Sequence, residues 1–127
     1  MRSMAVLLLA VLAGCAQPRP AGPPPVINTA TPTCGTKLEC DGMWIDAQRS
    51  IETATGMRTR LVTDGRIVTY APTNYGRMGG EVVKYPLGGD RYEMRASFEC
   101  YRSTDCSDLR ILATNLFNNL LRGYRPK

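Results

Sequence analysis

Apolar and polar residues change rhythm several times along this chain, and each rhythm predicts an element. Over 41–56, "DGMWIDAQRSIETATG", Met43, Ala47, Ile51 and Ala54 recur at helical spacing with Trp44 beside them. Asp46, Gln48, Arg49 and Glu52 fall mostly on the other side. Asp41 can cap the start, and Gly56 stands where a left-handed C-terminal residue belongs. Two β-prone runs then flank Asp64-Gly65, a pair suited to a type I′ hairpin turn. "NYGRMGG" reads as a loop, and "EVVKYPL" over 81–87 as a strand that Pro86 places at an edge or a stop. Residues 91–100 alternate: Tyr92, Met94, Ala96, Phe98 and Cys100 point one way, Arg91, Glu93, Arg95, Ser97 and Glu99 the other. Such a strand is covered on one face and wet on the other. A last helix, capped by Ser107 or Asp105 and ended by Gly123, carries Leu109, Leu112, Ala113, Leu116, Phe117, Leu120 and Leu121 as its apolar stripe. The predicted fold is α+β in the order α-β-β-β-β-α. An antiparallel four-stranded meander carries both helices on one face.

The start of the chain follows a different logic. Arg2 precedes an unbroken apolar run of nine residues, Met4–Leu12. A bilayer-spanning helix needs about 20 apolar residues, so this run fits the hydrophobic region of a secretory signal instead. Leu12-Ala13-Gly14-Cys15 resembles the lipobox of bacterial lipoprotein precursors. The resemblance implies that residues 1–14 are removed as a signal peptide. It also implies that Cys15 is acylated on its sulfur and at its new N-terminus, making it a membrane anchor. In such lipoproteins an acidic residue after the cysteine often retains the protein at the inner membrane. Ala16 at that position implies the outer membrane, facing the periplasm. Residues 16–33, "AQPRPAGPPPVINTATPT", contain six prolines and only two large aliphatic residues, Val26 and Ile27. This composition predicts an extended tether of roughly 50 Å. It is loosely similar to the proline-containing lipidated tails of small lipoproteins of type IV secretion systems, which implies a docking role for the tail as an alternative to a plain spacer.

The remainder, residues 34–127, is long enough for one small domain. Arg2 and Arg19 lie outside it, which leaves 14 of the 16 Lys/Arg against all 11 Asp/Glu, a mild +3. No basic run of five occurs, which argues against nucleic acid as a partner. An envelope protein or an anionic envelope polymer fits better. The chain has no histidine, so the commonest general base and metal ligand are missing, along with every Ser-His or Cys-His arrangement. No phosphate loop is present, and Glu93 and Glu99 interleave with Arg91 and Arg95 as a ladder of opposite charges. Neither a catalytic residue, a metal site nor a cofactor site is expected. The candidate binding surface is the wet sheet face, with Lys84, Arg91 and Arg95 as its cations and Tyr70, Tyr75 and Tyr85 as its aromatic residues.

Four cysteines remain beside Cys15, in two matched loops, "CGTKLEC" at 34–40 and "CYRSTDC" at 100–106. Five intervening residues and no histidine do not suit structural zinc, and a redox motif would read C-x-x-C. An exported domain with an even number of cysteines carries disulfides. The repeated spacing favours local pairs, Cys34 with Cys40 and Cys100 with Cys106. A long-range pair such as Cys40 with Cys100 stays open, because both segments lead into helices and could meet at one end of the domain.

Overall fold

The structure is a computed structural model that describes residues 22–103 and 105–124. The signal stretch, Cys15 and the first part of the proline-rich segment lie outside the described residues. Among the described residues the elements are β1 (Thr33–Cys34), α1 (Lys37–Thr55), β2 (Thr59–Val62), β3 (Arg66–Thr69), β4 (Met78–Gly88), β5 (Arg91–Cys100), a short 3-10 turn (Tyr101–Ser103) and α2 (Ser107–Arg122). The fold is α+β. The meander β2 to β5 is present, and β1 adds a fifth strand beside β5, giving the antiparallel order β1-β5-β4-β3-β2. Two residues were too few to read as a strand in the sequence. They pair because Thr33 lies opposite Glu93 and Cys34 opposite Tyr92, at the edge that β5 would otherwise expose.

Helix α1 begins four residues before the predicted start. Thr36 caps it, accepting the Glu39 N–H at 3.2 Å, while the Glu39 carboxylate accepts the Gly35 N–H at 3.1 Å. The stretch Thr36-Lys37-Leu38-Glu39 is thus a near capping box, and Cys40 lies inside the first turns rather than before them. At the other end Gly56 adopts φ 70° and closes the helix on the Glu52 carbonyl, as its position suggested. The β2–β3 hairpin turns at Asp64-Gly65, yet neither residue has a positive φ, so the turn is not type I′. The Thr63 hydroxyl holds it instead, accepting the Arg66 N–H at 3.0 Å.

Strand β4 starts at Met78, so Gly79 and Gly80 belong to the sheet and not to the preceding loop. Their smallness answers a packing demand. A Cβ on Gly80 would lie 2.7 Å from the Ile51 Cδ1 atom, so α1 can sit this close only over a glycine. The core fills the space between helices and sheet: Met43, Trp44, Ala47 and Ile51 from α1, Ile67 and Val82 from β3 and β4, Met94 and Phe98 from β5, and Ala113, Phe117 and Leu121 from α2. The cross-strand row Ile67, Val82 and Ala96 forms its floor. Helix α2 departs from expectation. Leu109, Leu112, Leu116 and Leu120 remain 40–53 % exposed. With α1 on one side and β5 beneath, the apolar residues that α2 buries are the seam Ala113, Phe117 and Leu121, narrower than its apolar stripe.

Both cysteine loops close locally. Cys34 and Cys40 form one disulfide, with Cα atoms 5.2 Å apart, and Cys100 and Cys106 form the other, at 6.3 Å. The long-range alternative fails on geometry. Cys34 lies opposite Tyr92 at the start of β5 and Cys100 ends that strand, so the loops stand roughly 26 Å apart, eight residues of strand.

Candidate binding surface

The helices cover one face of the sheet and leave the other bare. Strand alternation brings Val68 from β3, Glu81, Val83 and Tyr85 from β4, and Glu93, Arg95 and Ser97 from β5 onto the bare face. Apolar and charged positions interleave across it: Val83 lies between Arg66 and Arg95, and Val68 between Leu61 and Glu81. The charges are locally paired. Arg66 grips Glu81 with two hydrogen bonds, at 2.7 and 3.1 Å. That carboxylate pushes the guanidinium pKa above its already high ordinary value, by hydrogen bonding first and by charge second. Arg95 bonds Glu93 at 2.9 Å and lies over the Tyr85 ring, its Cζ atom 3.7 Å from the centroid. Of the expected ladder, Arg95 with Glu93 forms a pair, and Arg66 with Glu81 adds one that the spacing did not suggest. The surface is mixed rather than basic. Exposed pairs of this kind add little stability; their effect here is to hold Arg95 and Tyr85 in fixed positions.

The predicted site residues do not all share this face. Lys84 pairs in register with Met94, a core residue, so it belongs to the helix-covered side. Its ammonium lies 5.3 Å from the Trp44 ring and 5.2 Å from the Tyr92 ring, a double cation–π arrangement at the end of the core. Adjacent valines, Val82 and Val83, make the phase of β4 ambiguous in the sequence, and the expectation of Lys84 on the wet face is not met for that reason. Arg91 is exposed beside the β4–β5 turn. The three tyrosines are dispersed. Tyr85 is on the bare face, Tyr70 follows β3, and Tyr75 stands edge-on to Tyr101 at 5.0 Å, beside the Cys100–Cys106 loop.

A second concavity of about 420 Å³ opens where Lys84 meets the start of α1. Asp41, Asp64 and Asp90 line it with Lys37 and Lys84. Lys37 and Asp41 form an ion pair at 2.6 Å. The hydrogen bond to Lys37 holds the Asp41 carboxyl below its ordinary value of 3.8. Opposite charges stand side by side and exposed here, and the Trp44 indole N–H is already satisfied by the Thr63 carbonyl at 2.8 Å.

The proline-rich segment is not a free tether throughout. From Val26 onward it is fastened along α2. The Asn115 side chain donates to the Val26 carbonyl at 2.8 Å and accepts from the Asn28 N–H at 3.1 Å and the Thr29 hydroxyl at 2.8 Å. Asn118, only 3 % exposed, donates to the Thr29 hydroxyl at 3.0 Å. The Pro32 carbonyl then accepts the Met94 N–H, leading into β1. Asn115 and Asn118 are clamps for the segment. Among the described residues the stretch from Val26 onward is thus part of the fold, so the expected tether of 16–33 overlaps the folded unit at 26–33. Among the described residues no helix is long and apolar enough to cross a membrane. Comparison with family models, with curated proteins and with solved structures finds no match, so these surfaces are read from their own chemistry.

Proposed function

We propose that this chain is a lipid-anchored, non-enzymatic lipoprotein of the bacterial envelope that binds or positions another envelope component, with the bare sheet face as its working surface. The observation that carries the reading is that face itself: Leu61, Val68 and Val83 interleaved with the Arg66–Glu81 and Arg95–Glu93 pairs, and Tyr85 stacked on Arg95. Aliphatic side chains beside an ordered Tyr and Arg whose charges are paired suit a protein-binding patch. The paired charges favour a protein partner over an anionic polymer, because few cations are left to pair with a string of phosphates or carboxylates. The Cys15 lipobox supplies the anchor, and the lack of histidine supports a role without catalysis.

A photo-crosslinking residue placed at Val83 in the producing cell tests the reading. It should give a discrete adduct that Arg95→Glu abolishes. If protein bearing an acylated Cys15 gave no adduct at Val83, the working surface would be elsewhere. The tail-led alternative, a structural subunit of a secretion machine, has a shorter free tail to work with. Its discriminating deletion is residues 18–25, because removing residues through 33 would also strip β1 and the α2 clamps.

A further inference from the structure

Four leucines on one flank of α2 are left uncovered, and their surroundings indicate what they face. Leu109, Leu112, Leu116 and Leu120 recur at spacings of three and four, so they form one continuous stripe. Monomeric proteins seldom expose a contiguous apolar strip of this kind without a use for it. Asn115, one turn from Leu112 and next to Leu116, fastens the Val26 carbonyl and the Asn28 N–H to this same helix. Val26 and Ile27 are themselves exposed. The chain therefore runs from α2 toward Cys15 with eleven residue steps between Val26 and Cys15, at most about 40 Å. The element nearest the proposed anchor is the one with the uncovered leucines.

We infer that α2 lies against the bilayer, with Leu109, Leu112, Leu116 and Leu120 set into the headgroup–acyl boundary. This inference rests on the lipid-anchored reading and deepens it. The helix carries Asp108 and only Arg110 and Arg122 as cations, so the contact is driven by apolar area and does not require anionic lipid. Because the helices occupy one side of the sheet, the bare face with Val83 and Tyr85 is turned away from the membrane, toward the periplasmic space.

The test uses the full, lipidated protein in phosphatidylcholine vesicles whose acyl chains carry bromine, a short-range quencher of tryptophan. Leu116→Trp should lose at least half of its added emission relative to unbrominated vesicles, and Leu112→Trp serves as a second probe of the stripe. Val83→Trp should lose none, and Trp44 gives the constant background measured in the unsubstituted protein. Unquenched probes at both leucine positions, in protein whose Cys15 peptide has the mass of an acylated species, would overturn the inference and leave the anchor standing. Quenching at Val83 would overturn the orientation. A blue-shifted, unquenched Leu116→Trp together with a doubled mass in solution would assign the stripe to a second copy of the chain. A Cys15 peptide of unmodified mass would remove the anchor reading and this inference together.

Discussion

Substituting Gly80 by alanine isolates the closest contact between sheet and helix. The new Cβ would stand 2.7 Å from the Ile51 Cδ1 atom, 3.0 Å from its Cγ1 and 3.0 Å from the Thr55 Cγ2. Carbon atoms settle near 3.5–4.0 Å, so α1 must lift by several tenths of an ångström or Ile51 must leave its rotamer. Ile51 is fully buried and β-branched, which restricts its alternatives. Overpacking of this kind costs about 1–3 kcal/mol, and the lower entropy of an unfolded alanine offsets about 0.4–1 kcal/mol of it. The expected net loss is about 1–2 kcal/mol, a drop in Tm of roughly 4–16 °C for a domain of this size. Urea denaturation followed by circular dichroism, with both disulfides oxidised, reads the first figure directly. A double-mutant cycle with Ile51→Val sharpens the test. That change removes the Cδ1 atom and by itself costs about 0.5–1.5 kcal/mol. In its presence Gly80→Ala should cost about 1 kcal/mol less than in the parent, a coupling within the range for touching residues. A neutral Gly80→Ala, or strict additivity of the two changes, would refute the close-approach argument.

Asn115→Ala should release the segment around Val26, speeding hydrogen exchange at the Asn28 amide and lowering stability by about 1–2 kcal/mol; an unchanged exchange rate would count against the clamp. Non-reducing peptide mapping should recover Cys34 joined to Cys40 and Cys100 joined to Cys106, and Cys100→Ser with Cys106→Ser should cost roughly 2 kcal/mol on the chain-entropy model. The Asp41 carboxyl should titrate below its ordinary 3.8 and return toward it in Lys37→Met, as followed by carboxyl NMR. Its folded value is depressed, so whatever stability it contributes is present above 3.8 and lost as pH falls through the lower, folded value.

The elements with strong local periodicity were legible in the sequence. Residues 91–100 alternate, and Met94 and Phe98 are buried while Arg95 and Glu99 are wet. The 41–56 stripe is buried through Met43, Trp44, Ala47 and Ile51. What was missed depended on distant parts of the chain. Gly79 and Gly80 looked like turn residues because their partner, Ile51, is far away in sequence. β1 depends on the start of β5, whose edge would otherwise be bare. Lys84 resembles a surface cation by type, yet its stem runs along the covered face and its charge rests on Trp44 and Tyr92. The early start of α1 is different. Thr36 and Glu39 signal it locally, and Asp41, a second cap candidate, lies inside the helix. The bare face was legible as a face; its neutral pairing depended on cross-strand register, which sequence spacing alone does not reveal.

The hydrogen bonds from Asn115 and Asn118 to the Val26–Thr29 stretch span 86–89 residues of chain. The first folded segment therefore has nowhere to settle until the last helix has been made. A chain threaded N-terminus first through a narrow channel would carry that stretch extended and solvent-exposed for almost the whole passage. Any enzyme that acts near it finds an unstructured substrate, and the clamp forms only after α2 emerges. The order of synthesis thus delays the fastening of this stretch until the whole domain has been made.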